Sequence, residues 1–324
     1  MTFYISFFLV SFLISLFLVP YFARIARKYN ALDVPTHRKK HGRIVPLWGG
    51  LPIYVSFIVS LLLAGLVSSK IFKFNLLGIV LGSTFILLIG LIDDKFGVPV
   101  KIKLFAQIIA GIILISSGIR MAGFTIPLVN MYIQIPTLIS AVITIGWIVL
   151  ITNAINFIDG LDGLAAGVSI ISLIAFFIIS FISLSKPISS SMREGYYISS
   201  IFSIILIGAT SAFLIFNFYP AKVFLGDSGS MFLGYIISSI SIIGFLKSIA
   251  LITLLIPIMI MALPLFDIIY AILRRIKTKQ PISKPDRKHL HHQLIQAGFS
   301  HPSAVIFLYS ISAIFSFLAV IISI

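Results

Sequence analysis

Cysteine is absent from the 324 residues, which excludes disulfide frameworks, thiolate nucleophiles and cysteine-ligated zinc or iron–sulfur centres. Charge is scarce too. Only 10% of the residues are charged, against roughly 25% in an ordinary soluble domain, and nine of them are acidic. With 59% hydrophobic residues and a mean hydropathy of +1.15, a soluble globular protein is ruled out. Disorder, collagen and coiled coil fall with it, and the bilayer must be the solvent for most of the chain. The 24 Lys and Arg leave a net charge of +15. That excess suits nucleic acid, anionic lipid head groups or a phosphorylated substrate, and charge alone does not choose among them.

A transmembrane helix needs about 20 apolar residues. Ten such segments are predicted: Phe3–Val19, Leu47–Val67, Phe74–Ile92, Leu104–Ile119, Tyr132–Ile151, Leu164–Leu184, Tyr196–Phe216, Met231–Phe245, Ile249–Ile272 and Ala304–Ile322. The first has no basic stretch ahead of it and no small-residue cleavage site after it, so it reads as a retained anchor. Loops after the odd-numbered segments hold 18 of the 24 basic residues, which places them in the cytoplasm and both termini outside. Eight of the nine acids and all six histidines fall on that same side, Glu194 being the exception. The positive-inside bias barely acts on Asp or Glu, so this gathering points to chemistry at the inner surface, although longer inner loops also collect polar residues. No internal repeat is visible. The expectation is an all-α, polytopic integral membrane protein of about ten transmembrane helices, one domain over 1–324, with its active site on the cytoplasmic face.

Four polar clusters stand in those inner loops. Asp93 and Asp94 end the third segment, where two carboxylates meet the negative end of a helix dipole and call for a positive partner. Lys95, Lys101 or Lys103 can answer them, or a divalent cation can. Asn156, Asp159 and Asp162 follow at intervals of three between the fifth and sixth segments, on one face if that stretch is helical, with Gly160, Gly163 and Gly167 allowing close backbone approach. Asp-Gly pairs are also common turn formers. Phe224-Leu225-Gly226-Asp227-Ser228-Gly229-Ser230 leads into the eighth segment, where backbone amides at a helix start suit an anion and Asp227 can hold a metal or merely cap the helix. The last loop carries Arg287 and the His289-Leu290-His291-His292 cluster, with His289 and His292 on one face if helical. A first basic loop from His37 to Arg43 can add phosphate contacts or act as an anchor. Asp267 lies inside the ninth segment, a functional candidate by its position or a partner for a nearby cation.

These four clusters, in this order over nearly the whole chain, resemble the polyprenyl-phosphate N-acetylhexosamine-1-phosphate transferase family. The branch that makes the first lipid intermediate of peptidoglycan typically shows three consecutive histidines and Pro-Thr-Met-Gly-Gly. Here His289-Leu290-His291-His292 and Pro46-Leu47-Trp48-Gly49-Gly50 stand instead. They resemble the branch that loads N-acetylglucosamine-1-phosphate onto undecaprenyl phosphate and so starts O-antigen, enterobacterial common antigen or teichoic-acid linkage synthesis.

The resemblance implies a bacterial inner-membrane enzyme that joins undecaprenyl phosphate to the sugar phosphate of a UDP-N-acetylhexosamine, with Mg²⁺ or Mn²⁺ as cofactor. It implies Asp227, Asp94 and Asp159 at the metal, Asp93, Asp94, Asp227 and His291 in catalysis, and Asn156, Asp159, Asp162, Phe224, Gly226, Arg287, His289 and His292 at the substrates. Its partners are these two substrates and membrane lipids, with a homodimer compatible and no nucleic acid. Two other classes compete. A CDP-alcohol phosphotransferase shares the Asp159-Gly160-Leu161-Asp162-Gly163 opening, but its signature wants Arg where Gly167 stands and two more aspartates downstream. A secondary transporter predicts repeated halves and midplane charges, whereas the ionisable groups here collect at one surface.

Overall fold

The computed structural model describes residues 2–34, 44–68, 71, 76–126, 131–246, 249–279 and 289–323. Apolar runs with little Gly or Pro inside them become long helices, since a helix satisfies its own backbone where no water is available. In chain order these are α1 (Thr2–Lys28), α2 (Gly50–Val67), α3 (Leu77–Phe96), α4 (Val100–Ser116), α5 (Thr137–Ile158), α6 (Leu164–Ser183) and α7 (Ser190–Asn217). They are followed by α8 (Gly226–Ser241), α9 (Leu251–Ile260), α10 (Ala262–Lys277), α11 (Leu290–Gln296) and α12 (His301–Ser323). Among the described residues, α1, α2, α3, α5, α6, α7 and α12 are long and apolar enough to cross a membrane. The protein is a polytopic helical membrane protein.

Three of the ten expected segments lie on shorter or interrupted helices. Leu104–Ile119 lies on α4, a helix of 17 residues. Met231–Phe245 lies on α8 and the π turn Ile242–Leu246 that continues it. Ile249–Ile272 is broken at Met261 into α9 and α10, a stretch flanked by Pro257 and Pro264, each lacking the N–H that a helical ladder needs. The chain is also not purely helical. Strands β1 (Leu32–Asp33) and β2 (Val45–Pro46) pair antiparallel, and β3 (Gly123–Ile126) pairs antiparallel with β4 (Met131–Gln134) and parallel with β5 (Ile249–Ala250). The fifth segment, expected from Tyr132, is therefore a strand up to Gln134. Its helix begins only after Pro136, because the residue before a proline is pushed toward extended backbone.

Helix α8 is the axis of the molecule. Every residue from Ser228 to Ser241 is buried, and α2, α3, α5, α6 and α7 all pack against it. Lipid provides no hydrophobic force between helices, so contact relies on small residues and hydrogen bonds. Tyr235 shows both. Its hydroxyl donates to the Gly78 carbonyl at 3.1 Å, in space that a Cβ on Gly82 would fill. Trp147 of α5 donates from its indole to Ser241 Oγ at 2.8 Å. The consequence for function lies in the direction of the helices. The ends of α1, α3, α5, α7 and α10 and the starts of α2, α4, α6, α8, α11 and α12 meet at one end of the bundle, where every expected site residue within the described segments is found.

Candidate active site

Helix α3 brings Asp93 and Asp94 to its last turn and stops at Gly97, whose φ of +71° suits glycine. Asp94 faces the start of α8. Its Oδ1 accepts the Asp227 N–H at 2.7 Å, and its Oδ2 accepts from the Ser228 N–H at 3.3 Å and the Ser228 hydroxyl at 2.6 Å. A carboxylate at the unfavourable end of one helix is thus held by the favourable end of another. Glycines permit the approach. A Cβ on Gly90 would overlap Ser228 Cα, one on Gly50 would overlap the Gly229 N–H, and one on Gly226 would come within 2.6 Å of the Asp94 carboxylate. Phe224 straps the same corner: its N–H donates to the Pro46 carbonyl at 2.9 Å, and its carbonyl accepts the Gly49 N–H at 3.1 Å.

Asp93 turns the other way. Its Oδ1 accepts from the Val98 N–H, while Oδ2 lies 2.8 Å from Lys103 Nζ. The same ammonium lies 2.7 Å from Asp227 Oδ2. Asp227 Oδ1 accepts from Asn156 Nδ2 at 2.5 Å, and that amide also donates to Ser230 Oγ at 2.8 Å. Lys103 therefore bridges two carboxylates from different helices. Among the three lysines that the sequence offers near Asp93, nothing in spacing singles it out; only the fold shows it to be part of the centre.

The Asn156, Asp159, Asp162 series does not lie on one helical face. α5 ends at Ile158, so Asn156 is helical, whereas Asp159 caps the helix and Asp162 stands in the turn that closes at Gly163, φ +81°. Asp162 Oδ2 accepts the Ala221 N–H at 2.9 Å, and the Asp162 N–H donates to His301 Nε2 at 3.3 Å, with the His301 ring stacked on Tyr219. Asn217 ties the turn to the next one, accepting from Gly163 N–H at 3.1 Å and donating to the Val223 carbonyl at 2.9 Å. Asp159 is different. No described residue donates to its carboxylate, and desolvation, reinforced by the charges of Asp94 and Asp162, pushes its pKa up to about 8.

The histidines approach from the other side. His289 precedes α11 in extended backbone, so it and His292 share no helical face; instead the rings of His289 and His291 run parallel, 4° apart in plane and 5.8 Å between centroids. The His291 and His292 centroids are 4.2 Å apart. His291 rests on Gly160, where a Cβ would overlap its Nε2. Burial, with His292 as the next cause, lowers its pKa to about 3, so the ring is neutral at pH 7. Arg287 and the basic loop from His37 to Arg43 lie outside the described residues.

The donor set is oxygen-rich. Asp93, Asp94, Asp159, Asp162 and Asp227 gather where Lys103 is the ammonium paired with them among the described residues. No three His, Asp or Glu side chains there form a ready metal cage. Carboxylate oxygens are the donor type that Mg²⁺ takes, ordinarily one or two of them together with waters and substrate phosphates. Asp227 and Asp93, already sharing one cation, and Asp159, to whose carboxylate no described residue donates, fit such an ion. Asp94 fits it less well, since three donors already occupy it.

A bundle of helices long and apolar enough to cross a membrane, with a cluster of carboxylates at one end, defines a polytopic membrane protein. The chain belongs to glycosyl transferase family 4, whose model matches residues 76–245. It is 40% identical, over 97% of its length and 83% of the relative's, to a probable undecaprenyl-phosphate N-acetylglucosaminyl 1-phosphate transferase of Bacillus subtilis. A decaprenyl-phosphate N-acetylglucosaminephosphotransferase of Mycolicibacterium smegmatis is 32% identical over 90% of this chain and 76% of its own. A phospho-N-acetylmuramoyl-pentapeptide-transferase of Staphylococcus carnosus is 33% identical over 72% and 74%.

Proposed function

We propose that this protein transfers N-acetylglucosamine-1-phosphate from UDP-N-acetylglucosamine to undecaprenyl phosphate and releases UMP. The carrying observation is the meeting of α3, α5 and α8 around Asp227, in a chain that aligns over nearly its whole length with a relative of that name. An oxygen of the lipid phosphate attacks the phosphorus that bears the sugar. The bond from that phosphorus to the bridging oxygen breaks, and UMP leaves with the electron pair. The second pKa of a phosphate is ~6, so the nucleophile is largely ionised at neutral pH without a strong base.

Each residue has a part in this reading. Asp227 and Asp93, with Asp159, hold a magnesium or manganese ion, and Asn156 fixes the Asp227 carboxylate through its 2.5 Å hydrogen bond. That ion, when bound, neutralises the donor diphosphate and the charge that spreads over it in transfer. Asp94 keeps the first turn of α8 in place. Lys103 and the histidines contact phosphate, Asp162 shapes the turn beside the nucleotide, and Phe224 and Gly226 line its pocket. The reactive end of the bundle faces the cytoplasm, with both chain ends on the other side. Basic residues support this: the last turns of α1 and α10 bring Arg27, Lys28, Arg274, Arg275 and Lys277 to the site end, while Arg120, Lys186 and Arg193 are at the opposite end among the described residues.

Membranes carrying the protein, incubated with undecaprenyl phosphate and a panel of radiolabelled UDP-sugars, should convert UDP-N-acetylglucosamine to a solvent-extractable lipid and UMP. Chelation should stop the reaction and added Mg²⁺ restore it. Asp227→Asn should lower turnover by at least about 100-fold while the protein still inserts. Full turnover in that variant refutes the assignment of Asp227. The Staphylococcus relative supports a second reading, in which the donor is UDP-N-acetylmuramoyl-pentapeptide; product from that donor alone would establish it.

A further inference from the structure

Asp267 is 2% exposed, within α10 beside buried Leu263, Leu265 and Ile268. A carboxylate removed from water costs several kcal/mol unless its oxygens find partners. Both do. Oδ1 accepts the Leu290 N–H at 2.9 Å, and Oδ2 lies 2.9 Å from His289 Nδ1. One side chain thus grips the first amide of α11 and the ring of the residue before it. The His289 ring is parallel to that of His291 and lies 5.5 Å from Phe157, in the last turn of α5. His291 in turn rests on Gly160. The segment anchored by Asp267 is therefore the one that lays imidazoles against the Asp159–Gly160 turn.

A cap for α11 needs only an oxygen, which Asn or Ser supplies as well as Asp. A carboxylate aimed at Nδ1 does something further: it holds the proton on Nδ1 and leaves Nε2 as the ring nitrogen for another group. We propose that Asp267 is a positioning residue for the transfer, fixing the tautomer of His289 so that Nε2 is presented to the donor diphosphate. This rests on the transferase reading above. Asp267→Asn separates the two roles. Its amide oxygen can still accept the Leu290 N–H, but its NH₂ then faces Nδ1 and drives the imidazole proton to Nε2.

The chain has six histidines, so ¹⁵N-histidine labelling is tractable, and a His289→Gln sample assigns the resonances of interest. The wild type should show a protonated Nδ1 on His289, and Asp267→Asn should shift that proton to Nε2. In the same variant kcat should fall about 100-fold, KM for the UDP-sugar should stay within about threefold, and the melting temperature in detergent should hold. Adding Asp267→Asn to His289→Gln should cost no further activity, because the two residues act as one unit. Wild-type kcat in Asp267→Asn, or additive losses in the double variant, would overturn the proposal. If the variant does not fold, the wild-type spectrum decides: an unprotonated Nδ1 overturns it. Absence of transfer by the wild type would instead overturn the transferase reading, a result obtained before any variant is made.

Discussion

Asp93 reaches Lys103 and Asp94 reaches the first amides of α8, so adjacent carboxylates serve different partners. Lys103→Met should therefore leave Asp93 and Asp227 repelling each other. In chelator the variant should melt below the wild type, and Mg²⁺ should recover more stability in the variant than in the wild type, read by thermal melts in detergent. Equal Mg²⁺ responses would show that the ammonium and the ion do not answer the same carboxylates. The titrations of Asp159 and His291 oppose one another. In the metal-free protein Asp159 keeps its proton up to about pH 8 when folded but only to about 3.8 when unfolded, so in chelator it adds stability as pH falls from 8 toward 4. His291 refuses a proton down to about pH 3 when folded but takes one near 6.5 when unfolded, so its contribution is full above 6.5 and is lost as pH falls below it. Each slope is at most about 1.4 kcal/mol per pH unit. In the wild type they offset below pH 6.5. Removing the histidine with His291→Gln should make stability rise between pH 6.5 and 5, whereas Asp159→Asn should make it fall. Melting curves at those two pH values that move together in both variants would contradict the assignment.

Glycines decide how closely the helices meet. Gly90 has Ser228 Cα in the space of its missing side chain, and Gly50 has the Gly229 amide. A backbone neighbour cannot swing aside as a side chain can. Gly90→Ala should therefore cost about 1–3 kcal/mol, lower the melting temperature and, by shifting Asp94 from α8, reduce turnover more than an alanine at the exposed Leu88 of the same helix. Equal effects at the two positions would refute the close approach. The sequence announces these elements unevenly. Gly226-Asp227-Ser228-Gly229 at the head of an apolar run reads correctly as a helix start, and Asp93-Asp94 at the foot of another reads correctly as a site in need of a positive partner. Its partner, however, is the N-terminus of a helix more than a hundred residues away together with Lys103, and local spacing cannot express either. A spacing of three fits a helix face and a tight turn alike, so the sequence leaves both open for Asp159 and Asp162, and the fold puts them in the turn closed by Gly163. Hydropathy joins what backbone separates: Tyr132–Gln134 and α5 form one apolar run, as do α9 and α10, and only Pro136, Pro257 and Pro264 mark the breaks.

At the scale of the whole molecule, alternation makes the centre. Each long helix has one end at the acidic surface, so residues as distant as Asp94, Asn156 and Asp227 meet, with His291 against the neighbouring Gly160 turn, without any one loop being long enough to build a site. A lipid acceptor and a polar donor can meet only where the bilayer ends, and helix ends are where a membrane protein shows polar groups without lowering them into hydrocarbon. The arrangement demands a single sidedness. Because the chain contains no cysteine, every introduced thiol is the sole one. Lys101→Cys, Lys222→Cys and Thr278→Cys place it at exposed positions around the acidic end, and Ser191→Cys at the far end, where α7 begins. A membrane-impermeant maleimide should label the first three in inverted vesicles and the fourth in right-side-out vesicles, while each variant keeps its transfer activity. Lys101 lies in the first turn of α4, Lys222 precedes α8 and Thr278 follows α10, so their labelling from one side tests the meeting of these three helices at one surface. Labelling of any one of them from the side opposite to the other two would mean that the acidic centre is not assembled beneath a single leaflet, and the transfer could not take place there.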